Sequence, residues 1–257
     1  MKFREPKLLK HPERKRVAVT PRTESQPRRI PEYRKSIKIP AILAIFALTT
    51  TSCTTEKSAP SKEHLCGVAK DTETHDLLQK ALRTDQYRTT IYNTNDRLPE
   101  KLADELKQWK PGRTEFTTLA CSFTPKDRRL DGSLEFELSW TARDGSTKKD
   151  PPGKVSYYNI NGALGEANDI ITKLRVQCNL PGTLRTPSRQ VSLLTKGSNT
   201  LSIGMKVDQK MIDQQMTIVY RVAQKATEVL GCENNPLKND PTIKAYSTPE
   251  EAARAGN

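Results

Sequence analysis

From residue 76 onward the hydrophobic positions switch between two periods, and the switches mark out the elements. Leu77, Leu78, Ala81 and Leu82 fall at helical spacing over 76–83, with Thr72 or Thr74 placed to cap the start. Leu98, Leu102, Leu106 and Trp109 repeat every three or four residues, which predicts a second helix from Pro99 to a stop at Pro111 and Gly112. The period then drops to two. Leu119, Cys121 and Phe123 share one face of a strand over 117–123, and Leu134, Phe136, Leu138 and Trp140 share one face over 133–140, with Glu135 and Glu137 opposite. Asp131-Gly132 and Asp144-Gly145 bracket that second strand with residues suited to the positive φ of tight turns, so the pairing is antiparallel. A further strand is expected over 155–160, after Pro151, Pro152 and Gly153.

The second half reuses these patterns in reverse order. Leu174, Val176, Cys178 and Leu180 alternate, 189–195 reads as another strand, and Leu201, Ile203, Met205 and Val207 alternate again. A long helix closes it. Ile212, Met216, Val219, Ala223, Ala226 and Leu230 make one stripe that ends at Gly231, as a core-facing helix requires. Together these elements predict an α+β domain, an antiparallel sheet with helices packed on one face. Cys66 and Cys121 stand almost as far apart as Cys178 and Cys232, and each strand cysteine precedes an apolar strand by a similar offset. The fold is therefore expected as two pseudo-related halves. Of the three connectivities open to four cysteines, the simplest closes each half with its own disulfide, worth about 3–4 kcal/mol per bridge in the chain-entropy picture.

Charge changes the picture through its position. The formal net charge is +13, but residues 1–38 carry 13 Lys and Arg against 4 Asp and Glu, leaving only +4 from Cys53 onward. A basic arm followed by the ten apolar residues of Ile39 to Leu48, too few for the ~20 that span a bilayer, has the layout of an export signal. The arm follows the positive-inside pattern and has no reader domain beside it, so nucleic acid is not an expected partner. The expected division is a basic, disordered n-region over 1–38, an apolar signal segment over 39–52 and a tether over 53–62. A disulfide-stapled domain over 63–235 and a disordered tail over 236–257 follow, the tail with a capping-box turn at Thr248 to Glu251.

The run from Ala47 through Ser52 to Cys53 resembles the lipobox of bacterial lipoproteins, with a small residue before the cysteine and Thr50 where that pattern usually holds an aliphatic. The resemblance implies that the Cys53 sulfur takes a diacylglycerol and that the chain is cut before it, anchoring the domain on the extracytoplasmic face; the alternative is an uncleaved apolar anchor. The contexts of Cys66, Cys121, Cys178 and Cys232, over roughly residues 64–235, resemble a group of actinobacterial secreted lipoproteins of uncharacterised function. That likeness brings no catalytic residues with it.

Candidate chemistry is sparse. The exported part has only His64 and His75, with no nucleophile elbow, zinc-protease motif or phosphate loop. His75-Asp76 is read as a solvated helix start, and His64 with Cys66 lacks the further ligands a metal needs. Glu135 and Glu137 stand ~6.5–7 Å apart, near a glycosidase spacing, yet alternation alone puts any such pair on a solvated strand face. Lys126 to Arg129 form a basic hairpin loop that could meet anionic envelope polymers. No cofactor or metal is expected. The function expected is binding or scaffolding in the cell envelope, through a polymer or protein ligand, and the runner-up is an extracellular hydrolase whose site assembles only in the fold.

Overall fold

The structure is a computed structural model and describes residues 64–112, 116–127, 129–143 and 154–255. The n-region, signal segment, Cys53 and tether lie outside the described residues, as do Arg128 and the turns at Asp144-Gly145 and Pro151 to Gly153. The first half runs helix α1 (Glu73–Leu82), strand β1 (Tyr87–Ile91), helix α2 (Arg97–Gln108), then strands β2 (Thr118–Pro125) and β3 (Leu134–Ala142). The second runs β4 (Ser156–Ile160), β5 (Ala163–Ala167), β6 (Ile171–Val176), a single turn α3 (Arg185–Ser188), β7 (Val191–Asn199) and helix α4 (Gln209–Leu230). A short strand β8 (Ala245–Tyr246) and helix α5 (Pro249–Arg254) follow.

The eight strands among the described residues join one antiparallel sheet in the order β1-β2-β3-β7-β6-β5-β4-β8. Each half contributes a contiguous block, and the blocks meet along the β3–β7 seam. Cys66 pairs with Cys121 on β2, and Cys178, just past β6, pairs with Cys232, just past α4. Strands β2 and β6 each lie next to their half's seam strand, so the two bridges occupy matching places in the strand order. The helices do not match: α1 precedes its strands and α4 follows its own.

Trp140 and Phe136 share a face of β3, and their contacts show what covers it. The Trp140 indole N–H donates to the Leu102 carbonyl of α2 at 2.8 Å. Phe136 lies beside Gly197, against which Val219 of α4 is seated. Helices α2 and α4 therefore cover the same side, and α1 packs along α4. Asp208 caps α4 by accepting from the Met211 N–H at 2.9 Å, and Gly231 ends it with φ of 69°. The opposite face carries charge in register across four strands, Glu137, Lys196, Lys173 and Glu166. Lys196 pairs with Glu137 at 2.8 Å, and Glu166 takes both Lys173 at 2.9 Å and Arg175 at 3.2 Å.

Three expectations need correction. Residues 201–207 do not form a strand. The Asn199 side chain accepts from the Leu201 N–H, a 3₁₀ turn covers Thr200–Ser202, and Gly204 at φ 76° breaks extension before the Asp208 cap. The strand containing Leu174 and Val176 ends before Cys178 and Leu180, which stay buried but turn away to meet the bridge. The tail over 236–255 is ordered, because its backbone is taken up by α4. Gln224 donates to the Leu237 carbonyl at 2.6 Å, the Tyr220 hydroxyl donates to that of Asn239 at 2.7 Å, and Leu237 is 1% exposed. Thr248 caps α5 by accepting from the Glu251 N–H, and the Glu251 carboxylate reaches back past the cap to accept from the Ser247 N–H, one residue earlier than in a capping box.

Close approach of α4 to the sheet depends on two glycines. A Cβ at Gly197 would stand 2.7 Å from Val219 Cγ2, a branched atom held in the core, whereas one at Gly165 would stand 2.7 Å from the terminal methyl of Met216. Gly197→Ala should lower stability by about 1–3 kcal/mol through overpacking, and Gly165→Ala by less because the thioether end can swing. Urea unfolding of the two variants checks the ranking, and equal losses would contradict it.

Candidate functional site

A second stripe on α4 lies on a different flank from the sheet-facing one. Ile218, Arg221, Val222 and Lys225 follow i, i+3, i+4, i+7 spacing, so they share one side of the helix. This flank meets α1 and the segment 65–69, and between them is a pocket of about 180 Å³. Leu65, Leu78, Phe123, Ile218 and Val222 form its walls, all of them buried. Val68, Ala69, Thr72 and Thr74 line it from the α1 side, and Arg221, Gln224 and Lys225 bring polar atoms from α4.

Local chemistry fixes each wall. The Cys66–Cys121 bridge pins segment 65–69 over β2. His64 locks the approach: its Nδ1 accepts from the Cys66 N–H at 3.1 Å, which leaves the proton on Nε2 to donate to the Asn93 carbonyl at 2.7 Å. The Lys225 ammonium donates to the Gly67 carbonyl from the α4 side. Thr72 both caps α1, accepting from the His75 N–H, and donates to the Ala69 carbonyl at 2.8 Å. Phe123 belongs to an edge-to-face series, 5.7 Å from Tyr87 and 5.9 Å from Phe136. Arg221 holds Asp240 at 2.8 Å and Glu73 at 3.6 Å.

The candidates read from the sequence are dispersed by the fold. His64 is a backbone strap, and His75 stacks 5.8 Å from Tyr87 with Asp76 at 3.9 Å from its ring. Glu137 is ion-paired to Lys196, and Glu135 accepts from the Ser133 hydroxyl at 3.1 Å. Asp127 accepts from the Arg129 guanidinium, whose hydrogen bonds hold its carboxyl down at about 2, in an exposed loop. Cys66 is spent in its bridge, and among the described residues no three His, Cys, Asp or Glu gather as a metal set. Among those residues, too, no helix is long and apolar enough to cross a membrane. The two bridges themselves place the folded part in an oxidising, extracytoplasmic setting. Comparison with protein-family models, curated proteins and solved structures finds no match for this chain.

One carboxyl on α2 is held in an unfavourable place. Glu105 accepts from the Thr118 hydroxyl through one oxygen, while the other is buried without a hydrogen-bond partner, and desolvation pushes its pKa above the ordinary Glu range. The folded state then binds this proton more tightly than the unfolded chain, so stability falls as pH rises from the unfolded value through the folded one. Glu105→Gln should be more stable than the wild type at pH 7. The difference should shrink as the pH falls through the raised folded value toward about 4.3, the unperturbed value, and stay level below it. Thermal melts across that range check it, and a gap that widens toward acid would overturn the assignment.

Proposed function

We propose that the chain is a membrane-tethered, extracytoplasmic lipoprotein whose stapled domain binds a ligand of the cell envelope and does no chemistry on it. The observation that carries this reading is the pocket beside the Cys66–Cys121 bridge, mostly apolar and built from the residues through which the chain enters the domain. A concave, apolar site with a few convergent polar groups is the usual form of a small-molecule site. The candidate catalytic side chains support it by being committed elsewhere: His64 to backbone, His75 to Tyr87, and Glu137 to Lys196. The export signal, the lipobox-like run before Cys53 and the resemblance to actinobacterial secreted lipoproteins supply the tether.

Intact-mass and non-reducing peptide mass spectrometry on membrane fractions tests the anchoring half of this proposal. The wild type should begin at an acylated Cys53 and carry both bridges. Cys53→Ser should run as the longer, unprocessed chain with no acyl mass. A wild-type chain that keeps its signal segment and reduced thiols would overturn the compartment as well as the anchor.

A further inference from the structure

We propose that the pocket holds the alkyl chain of a medium-chain fatty acid and that Arg221 and Lys225 hold its carboxylate. The inference rests on the domain being a binding module, and it is independent of the lipid at Cys53. Its first support is the division of the pocket by chemistry. The walls are Leu65, Leu78, Phe123, Ile218 and Val222, while the polar atoms gather on α4 at Arg221, Gln224 and Lys225. A site for a free anion has no use for the apolar walls, and one for a hydrocarbon has none for two cations. An amphiphile with a negative head uses both.

Size restricts the tail. The pocket holds about 180 Å³, somewhat more than the ~150 Å³ apolar cavity that accommodates a benzene ring. An alkyl run of about six to eight carbons fits, and a long-chain lipid does not fit within it.

The cations are placed to exchange partners. Arg221 and Lys225 are one turn apart on the same flank of α4, so one carboxylate can reach both. The acids now paired with Arg221 lie on the surface, Glu73 with a side chain 70% exposed and Asp240 with one 88% exposed. Such pairs are worth little in water, so a carboxylate brought in by a buried tail competes with them on favourable terms. Lys225 donates to the Gly67 carbonyl in the segment that forms the pocket wall, so its ammonium already lies at the rim. The first turn of α1, with Thr72 and Thr74 on the pocket, adds the positive end of a helix dipole to the same region.

The test is equilibrium dialysis of radiolabelled octanoate against the full chain in lipid nanodiscs, with empty discs as the blank and radiolabelled octanol as the uncharged probe. Octanoate should bind saturably to the wild type. Ala69→Trp, at an exposed lining position, should abolish that binding by filling the mouth, and Val68→Trp provides a second blocking variant should the first misfold. The double variant Arg221→Gln, Lys225→Gln should weaken octanoate about tenfold or more, as loss of a charge-assisted hydrogen bond does, and leave octanol within about twofold. No uptake above empty discs, equal uptake by folded blocking variants, or an equal loss for octanol and octanoate would each overturn the proposal. Octanoate binding alongside an unacylated Cys53 would support the pocket and remove the tether. An acylated Cys53 with no octanoate bound would keep the tether and sink the pocket.

Discussion

The seating of α4 against β6 and β7 is the constraint on which α1, segment 65–69 and the C-terminal segment depend. A 22-residue helix is about 33 Å long at 1.5 Å per residue, and here it meets neighbours on three sides. Its sheet side, Met216, Val219, Ala223 and Ala226, comes close because Gly165 and Gly197 leave room for it. A second flank receives α1 and segment 65–69. A third holds the C-terminal segment through Tyr220, Gln224 and Arg221. Raising α4 from the sheet by a methyl group would disturb all three contacts at once, because its partners pack on flanks of the same helix.

The two bridges act at the points where this arrangement is most exposed to fraying. Cys178–Cys232 fastens the C-terminal end of α4 to the end of β6, and hydrogen bonds surround it. The Glu233 N–H donates to the Asn179 carbonyl at 2.8 Å, while Asn234 accepts from the Asn179 N–H at 2.9 Å and donates to the Gln177 carbonyl at 2.7 Å. Cys66–Cys121 fastens the entry to α1, with His64 as its backbone strap. Aromatic residues are only 5% of the chain, so the core is built largely from aliphatic side chains. Cross-links that restrict the unfolded chain add stability without requiring more buried area.

Periodicity made α1, α2, α4 and β3 legible because each presents one face to the core, and the helix stripe on α4 emerged with every position in place or partly buried; in β2 a bulge between Leu119 and Cys121 turns Leu119 to the Glu137 face, away from Cys121 and Phe123. The matched cysteine spacing pointed to the pairing that the fold adopts. What periodicity missed has specific causes. Strand β5 is Ala163–Ala167, a run with little strand propensity and a glycine at its centre, and its signal lay in the turn before it. Asn161 at φ 54° and Gly162 at φ 83° form the Asn-Gly hairpin turn that links β4 to β5. The alternation of 201–207 was real as a pattern but had no strand to pair with, and side-chain capping by Asn199 and Asp208 took the backbone instead. The polar composition of 236–255 suggested disorder because the groups that satisfy it lie on α4, remote in sequence.

The pocket was illegible for a related reason. Ile218, Arg221, Val222 and Lys225 read along the chain as apolar and basic residues without order, because the sheet-facing stripe dominates the helical period. Their common flank matters only once α1 and segment 65–69 are laid against it, and those contacts span up to 158 residues of sequence, as between Lys225 and Gly67. The two cations on that flank are half-buried and already tie the fold together, Arg221 to Glu73 and Asp240 and Lys225 to the Gly67 carbonyl, so a ligand's carboxylate would have to displace those partners to be held there.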